Sequence, residues 1–121
     1  MKAGKNKTKF GSAAIAAAVL SMTFATGASA VEGWATDTIR YVYPLSTGNF
    51  VIALNSNPAI CPAVGDPKYF YVVAGENGVT ADGVKAMLAS ALAAMAMGKQ
   101  LQIAFDNSTT YCYVNRFVVV N

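Results

Sequence analysis

Tyrosine is the residue type in this 121-residue sequence that is best suited to ligand binding. The tyrosines form three pairs, Tyr41 with Tyr43, Tyr69 with Tyr71, and Tyr111 with Tyr113. Each pair is spaced i, i+2, which places both rings on one face of a β-strand. Such aromatic faces can stack on sugar rings, although tyrosines also suit strand surfaces without any ligand. We expect Tyr69 and Tyr71 to face a ligand, because they lie on the third predicted strand. Small five-stranded barrels often bind ligands on the face formed by their second and third strands.

A polar turn that begins at Asp106 is a second candidate site. Asp106, Asn107 and Ser108 offer several hydrogen-bonding groups close together, although the same residue types also fill ordinary hairpin turns. A calcium-binding loop is excluded because its sixth position is Tyr111 rather than Gly and its twelfth is Phe117 rather than Glu.

The sequence contains no histidine. This removes Ser-His-Asp and Cys-His catalysis, together with nearly all common zinc sites. The acidic residues Asp37, Asp66, Glu76 and Asp106 have no spacing that forces two carboxylates together. We therefore predict that the protein is not an enzyme and that it uses no cofactor and no metal.

The net charge of +3 misrepresents the body of the protein, because four of the nine basic residues lie within the first nine positions. From residue 31 onward the sequence has five basic and six acidic residues, which gives a net charge of −1. Nucleic-acid binding requires a positive groove that follows the phosphate backbone. We therefore exclude nucleic acid as a partner.

The N-terminus has the pattern of an export signal. The lysine-rich residues 1–9 precede an uncharged stretch that ends in Ala28-Ser29-Ala30, a small-x-small cleavage pattern. The stretch consists mostly of small residues and is weakly hydrophobic for a membrane anchor. We predict a signal peptide at residues 1–30, cleaved after Ala30, and a single bacterial domain at 31–121 that is secreted or periplasmic and free of the membrane.

Export suggests a role for the only two cysteines, Cys61 and Cys112. Two cysteines in a small exported domain most simply form one disulfide. The sequence has no C-x-x-C motif, and neither cysteine has a neighbouring histidine or lysine that would favour a reactive thiolate.

Residue patterns predict five strands and one helix in the order β-β-β-α-β-β. The predicted strands are residues 39–43, 50–54, 68–74, 101–105 and 111–120. The helix is predicted from 81 to 97, with Thr80 as its N-cap and Gly98 just beyond its C-terminus. Apolar residues at helical spacing predict its buried face as Val84, Met87, Leu88, Ala91, Leu92 and Met95.

This order is that of the OB-fold, a five-stranded barrel with its helix plugging one end. We therefore predict a mostly-β, OB-fold-like barrel. The alternative is an open antiparallel sheet with one helix packed across a face.

Residues 39–120 resemble a group of small exported bacterial proteins related to the receptor-binding B subunit of the subtilase cytotoxin. The shared features are Ser-Thr-Gly-Asn after the first strand, Tyr69-Phe70-Tyr71, the helix segment Met87–Ala94, Gly98–Ile103, and the two half-cystines. The resemblance implies an OB-fold binding subunit, like the pentameric subunit of the cytotoxin, which recognises sialylated glycans. This chain differs from that subunit in its cysteine arrangement and loop lengths.

Two functions are compatible with these patterns. We predict a non-catalytic exported binding module that recognises glycans or another cell-surface component. The alternative is a structural or assembly protein that docks onto a larger exported partner. Both are compatible with a homo-oligomer.

Overall fold

A computed structural model describes residues 32–121, and the predicted signal peptide lies outside this range. The predicted order of strands and helix is confirmed. The elements are β1 (Glu32–Pro44), β2 (Phe50–Leu54), β3 (Phe70–Val72), α1 (Ala81–Ala96), β4 (Gln100–Asp106) and β5 (Val114–Val120).

The five strands form one antiparallel sheet in the order β3-β2-β1-β4-β5. The mostly-β class with one helix is therefore correct, but strand pairing within residues 32–121 does not close the sheet. A backbone hydrogen bond joins β3 to the segment that precedes β5: the Tyr71 N–H donates to the Tyr111 carbonyl at 3.3 Å.

Strand β1 is longer than predicted because it pairs with two partners in turn. Residues 32–38 pair with β4 and residues 39–44 pair with β2, with a register shift between Ile39 and Tyr41. An irregularity of this kind bends a strand and increases its twist. The bend lets one strand belong to both halves of the sheet.

The core lies between the inner face of the sheet and α1. Its largest fully buried side chains include Phe50, Phe70 and Phe105. The Phe70 and Phe105 rings pack edge to face, with their centroids 4.9 Å apart. This pair joins β3, at one edge of the sheet, to β4 on the far side of β1.

Both predicted ends of α1 are confirmed. The Thr80 hydroxyl accepts a hydrogen bond from the Gly83 N–H at 3.0 Å. At the other end Gly98 has a φ of 68°, and its N–H donates to the Met95 carbonyl at 3.2 Å. Glycine adopts this left-handed conformation without the steric cost that other residues incur.

The predicted buried face of α1 is partly wrong. Val84 and Ala91 are buried as expected, and Met87 and Leu88 are partly buried against the core. Leu92 and Met95, however, are 42% and 39% exposed. Ala94 is fully buried in their place. The helix is apolar around most of its circumference, so periodicity alone does not show that its small alanines are the side chains turned toward the sheet.

This orientation predicts a reversal of the usual effect of side-chain size. Leu92→Ala should lower the free energy of unfolding by less than about 1 kcal/mol, because that leucine is 42% exposed and lies outside the core cluster. Ala94→Leu should cost about 1–3 kcal/mol, because it adds volume at a fully buried position. Denaturant unfolding measures both changes, and an equal loss from the two variants would contradict the observed orientation.

Strands β3 and β5 are shorter than predicted. Strand β5 begins at Val114 rather than at Tyr111 because Cys112 has a φ of 44°, in the left-handed region. That conformation is incompatible with a continuous strand ladder. Strand β3 comprises only Phe70–Val72, so Tyr69 lies just before it.

The predicted disulfide between Cys61 and Cys112 is confirmed, and both residues are fully buried. It joins the loop between β2 and β3 to the segment that precedes β5. No helix in residues 32–121 has the length and apolar character needed to span a membrane.

Candidate functional site

The fold brings all three tyrosine pairs into one continuous surface. We call this the tyrosine surface; it comprises Tyr41, Tyr43, Tyr69, Tyr71, Tyr111 and Tyr113. Three of these side chains are about half exposed, at 45% for Tyr41, 53% for Tyr43 and 50% for Tyr111. The surface therefore presents aromatic rings to solvent.

The register of β1, β2 and β3 positions the first part of the surface. Tyr43 pairs with Val51, and Val51 in turn pairs with Tyr71, so these three residues share one face of the sheet. The Tyr43 and Tyr69 ring centroids are 6.3 Å apart and nearly perpendicular, although these residues flank β2 from opposite sides. The rings therefore meet above β2. Val51 is only 3% exposed as a result, which explains why β2 is apolar on both faces.

The segment before β5 supplies the second part of the surface. The Tyr111 ring lies 5.4 Å from the Tyr71 ring, edge to face, and is stacked on the Tyr113 ring at 5.2 Å. The disulfide at Cys112 and the Tyr71–Tyr111 backbone hydrogen bond hold this segment in place. The third tyrosine pair therefore joins the second across the open edges of the sheet.

Two clefts open on the tyrosine surface. The Pro67 cleft has a volume of about 520 Å³ and is lined by Tyr41, Val42, Tyr43, Pro44, Pro67 and Tyr69. The Thr110 cleft has a volume of about 310 Å³ and is lined by Ala63, Val64, Tyr69, Tyr71, Thr110 and Tyr111. Both volumes fall within the range of small-molecule binding sites. Tyr69 lines both clefts and forms the boundary between them.

The tyrosine hydroxyl groups are available for binding in the part of the chain that the structure describes. Among residues 32–121, no tyrosine hydroxyl makes a hydrogen bond to another protein group. A phenolic hydroxyl can both donate and accept. The surface thus combines apolar ring faces with hydroxyls that can bind a polar ligand.

The basic groups nearest the clefts already have protein partners. The Arg40 guanidinium lies 5.4 Å from the Tyr41 ring centroid and pairs with the Asp66 carboxylate at 3.1 Å. A hydrogen bond from Asn57 and the contact with Arg40 lower the pKa of Asp66 from its ordinary value. The Lys68 Nζ donates at 2.8 Å to the carbonyls of both Pro58 and Cys61.

Tyr113 is the tyrosine whose ionisation the fold opposes. Loss of contact with water, the negative charge of Glu76, and the adjacent Tyr111 and Tyr71 raise the pKa of Tyr113 above its ordinary value of 10.0. An acid whose pKa is raised in the folded state keeps its proton to a higher pH in the folded chain than in the unfolded chain. Its contribution to stability therefore falls as the pH rises through 10.0.

Absorbance titration of the phenolate tests this assignment. The difference between the titration curves of the native protein and of Tyr113→Phe isolates the ionisation of Tyr113. We expect its midpoint to lie above that of tyrosine in the urea-unfolded chain, because folding favours the neutral phenol. A midpoint at or below that of the unfolded chain would contradict the environment described for Tyr113.

The predicted site residues occupy two different places. Tyr69 and Tyr71 lie together and line the Thr110 cleft. Asp106, Asn107 and Ser108 line neither cleft. The Asp106 carboxylate accepts hydrogen bonds from the Ser108 N–H at 2.9 Å and from the Ser108 hydroxyl at 2.6 Å, as in an ordinary polar turn. Only Thr110, at the end of the predicted polar turn, reaches the tyrosine surface.

Residues of the β2–β3 loop complete the clefts and were not expected from the sequence. Ala63 and Val64 form part of the Thr110 cleft, and Pro67 forms part of the other. An apolar valine in a proline-rich loop is a weak signal; Val64 is 89% exposed and packs little into the core. The disulfide at Cys61, which anchors this loop, was the stronger signal.

Residues 32–121 contain no group of three or more His, Cys, Asp or Glu side chains arranged to hold a metal ion. Comparisons of the chain with protein-family models, with curated proteins and with solved structures give no match.

Proposed function

We propose that this protein is an exported, non-catalytic binding module whose tyrosine surface binds a glycan of a cell surface. The observation that carries the proposal is the pair of adjoining clefts that share Tyr69, with solvent-exposed rings around them and hydroxyls that make no hydrogen bond within residues 32–121. The resemblance to exported toxin B subunits points to the same class of function.

The chemistry of the surface suits a sugar better than a purely apolar ligand. A sugar ring has an apolar face that can stack on an aromatic ring and a polar rim that requires hydrogen bonds. Tyrosine supplies both and loses little conformational entropy, since its side chain has only two rotatable angles. The edge-to-face contacts of Tyr43 with Tyr69 and of Tyr71 with Tyr111 restrain the rings further. A preorganised surface lowers the entropic cost of binding.

Export is supported by the disulfide between Cys61 and Cys112. Structural disulfides are common in secreted and periplasmic proteins and rare in the reducing cytosol. The predicted signal peptide, with cleavage after Ala30, would deliver the chain to such a compartment.

We also propose that the sheet is a partly open barrel of the OB kind. The strand order supports this, because β1 pairs with both β2 and β4. Strands β3 and β5 are then the two edges of the sheet, and pairing between them would close the barrel. The hydrogen bond between Tyr71 and Tyr111 lies where these two edges approach. OB-folds bind ligands across strands 2 and 3 and in the adjoining loops, and the Thr110 cleft is lined in part by Tyr71 of β3 and by Ala63 and Val64 of the β2–β3 loop.

The alternative function, a structural subunit docked onto a larger exported partner, would use a different surface. The exposed apolar side chains of Leu92, Met95 and Met97 are at the C-terminal end of α1 or just beyond it and line neither cleft. They do not identify an occupant, whereas the clefts have defined walls, volumes and hydrogen-bonding groups. We therefore place the function at the clefts.

A glycan array followed by substitution of Tyr69 tests the proposal. We expect the oxidised protein to bind glycans on the array, and Tyr69→Ala to weaken that binding by at least about tenfold, or ~1.4 kcal/mol, because it removes the wall common to both clefts. Trp34→Phe is the matched control, since Trp34 is an aromatic residue that is 44% exposed and lines neither cleft. An array without any bound glycan, or equal binding by Tyr69→Ala and the parent protein, would refute the proposal.

A further inference from the structure

We propose that the tyrosine surface contains two sugar subsites, one in each cleft, and that its ligand is an uncharged oligosaccharide that crosses Tyr69 to occupy both. This inference rests on the proposed function and specifies the class of glycan that the same surface selects.

The continuity of the two clefts supports an extended ligand. Among residues 32–121 only Tyr69 lines both clefts, so a ligand leaving one cleft passes directly over Tyr69 into the other. The Tyr69 ring is restrained by its edge-to-face contact with Tyr43. Each cleft by itself falls within the range of sites for a small ligand. Together the two clefts have a larger lining surface than a single sugar ring can contact.

The two clefts also provide the same type of chemistry. The Pro67 cleft presents Tyr41 and Tyr43 beside Tyr69, and the Thr110 cleft presents Tyr71 and Tyr111 beside it. Each cleft therefore combines aromatic rings with phenolic hydroxyls. A ligand built from repeating units of similar shape and polarity matches this duplication better than a molecule with two dissimilar ends.

The charges around the clefts favour a neutral ligand. No charged side chain of residues 32–121 lines either cleft. The nearest cations, Arg40 and Lys68, are bound to Asp66 and to two backbone carbonyls respectively. A sugar carboxylate would have to compete with the Asp66 carboxylate for Arg40.

Titration calorimetry with oligosaccharides of increasing length tests the inference on the oxidised full-length protein. The neutral probes are cello-, chito- and malto-oligosaccharides from disaccharide to hexasaccharide, and the acidic probes are sialyllactose and oligogalacturonates. For at least one neutral series we expect affinity to rise by about tenfold or more, ~1.4 kcal/mol, between the shortest and longest members. The acidic probes should bind more weakly than neutral probes of equal length.

Two substitutions separate the subsites. Tyr41→Ala alters the Pro67 cleft and Tyr111→Ala alters the Thr110 cleft; both side chains are about half exposed, so both variants should fold, as unfolding curves can verify. For the hexasaccharide we expect each variant to lose about the tenfold gained with length. For the disaccharide only one of the two variants should lose affinity. Trp34→Phe should leave both ligands unaffected.

The outcomes distinguish this inference from the proposed function. Binding that does not depend on length and is sensitive to only one of the two variants would overturn the two-subsite inference and leave the glycan-binding function in place. Preference for the acidic probes would overturn the neutral assignment alone. Binding of a proline-rich peptide by the clefts, with no saccharide bound on the array or in solution, would overturn both.

Discussion

Replacing Cys61 and Cys112 together by alanine should lower the free energy of unfolding by about 4 kcal/mol, since the disulfide joins residues 51 positions apart. Cross-linking over that separation restricts the unfolded chain, and its loss restores the entropy of the unfolded state. Small domains are stabilised by only about 5–15 kcal/mol in total. The double variant should therefore lose a large part of its stability.

Denaturant unfolding with and without reductant measures this effect. The parent protein should unfold at a lower denaturant concentration when it is reduced. The unfolding of the double alanine variant should not change when reductant is added. Intact mass should also increase by two hydrogen atoms when the disulfide of the parent protein is reduced to two thiols. Reductant-independent unfolding of the parent protein would contradict the structural role given to the disulfide.

The same substitution should affect the tyrosine surface. The disulfide anchors the loop that carries Ala63 and Val64 and fixes Cys112 between Tyr111 and Tyr113. Under conditions in which the double variant remains folded, we therefore expect glycan affinity to fall through loss of the Thr110 cleft.

Phe70→Ala should cost about 3–5 kcal/mol, because it empties a fully buried position in the middle of the core. The variant also lacks the edge-to-face contact between Phe70 and Phe105, a type of contact that contributes about 0.5–1.5 kcal/mol beyond the burial of area. The side chain belongs to β3 and lies in the sequence between Tyr69 and Tyr71, which line the Thr110 cleft, so its loss should loosen that cleft as well.

Fluorescence of the single tryptophan, Trp34, follows the unfolding of this variant. Phe70→Leu should cost less than Phe70→Ala, because the leucine side chain fills part of the cavity. Val64→Ala is the control in the adjoining loop and should change stability by less than about 0.5 kcal/mol, since Val64 is 89% exposed. A small loss from Phe70→Ala, comparable with that of Val64→Ala, would show that Phe70 is not buried as described.

Much of the fold was predictable because local signals and tertiary packing agree. The alternation of residues in β4, the Thr80 cap and the glycine after α1 act locally, and all three occur as expected. The unpredicted features depend on partners distant in sequence. Strand β1 extends to Glu32 because β4 lies beside it, although residues 32–38 have no strong strand pattern of their own.

The orientation of α1 shows a second limit of sequence patterns. Leu92 and Met95 are more hydrophobic than Ala94, so a periodicity argument assigns them to the core. The structure buries Ala94 instead, together with Ala91 as expected, and these small side chains allow the helix to lie close to the sheet. Which side chains of α1 fit against the sheet therefore depends on the distance between helix and sheet. That distance cannot be read from the sequence of the helix.

The tyrosine surface was predictable only in part. The i, i+2 spacing indicates that each tyrosine pair shares a face, but it does not show that all three faces coincide. Their convergence depends on the register between Tyr43, Val51 and Tyr71, and on the hydrogen bond between Tyr71 and Tyr111. The clefts also require Pro67 and Val64 from a loop without regular secondary structure.

Nuclear magnetic resonance provides the most direct test of the claim that the tyrosine surface is the glycan-binding site. The oxidised protein is titrated with the neutral hexasaccharide that it binds most tightly, while its amide and aromatic shifts are followed. We expect the largest shifts at Tyr41, Tyr43, Tyr69, Tyr71 and Tyr111, with the Trp34 indole unchanged. Shifts concentrated at Trp34 or along α1, with the tyrosine signals unmoved, would contradict it.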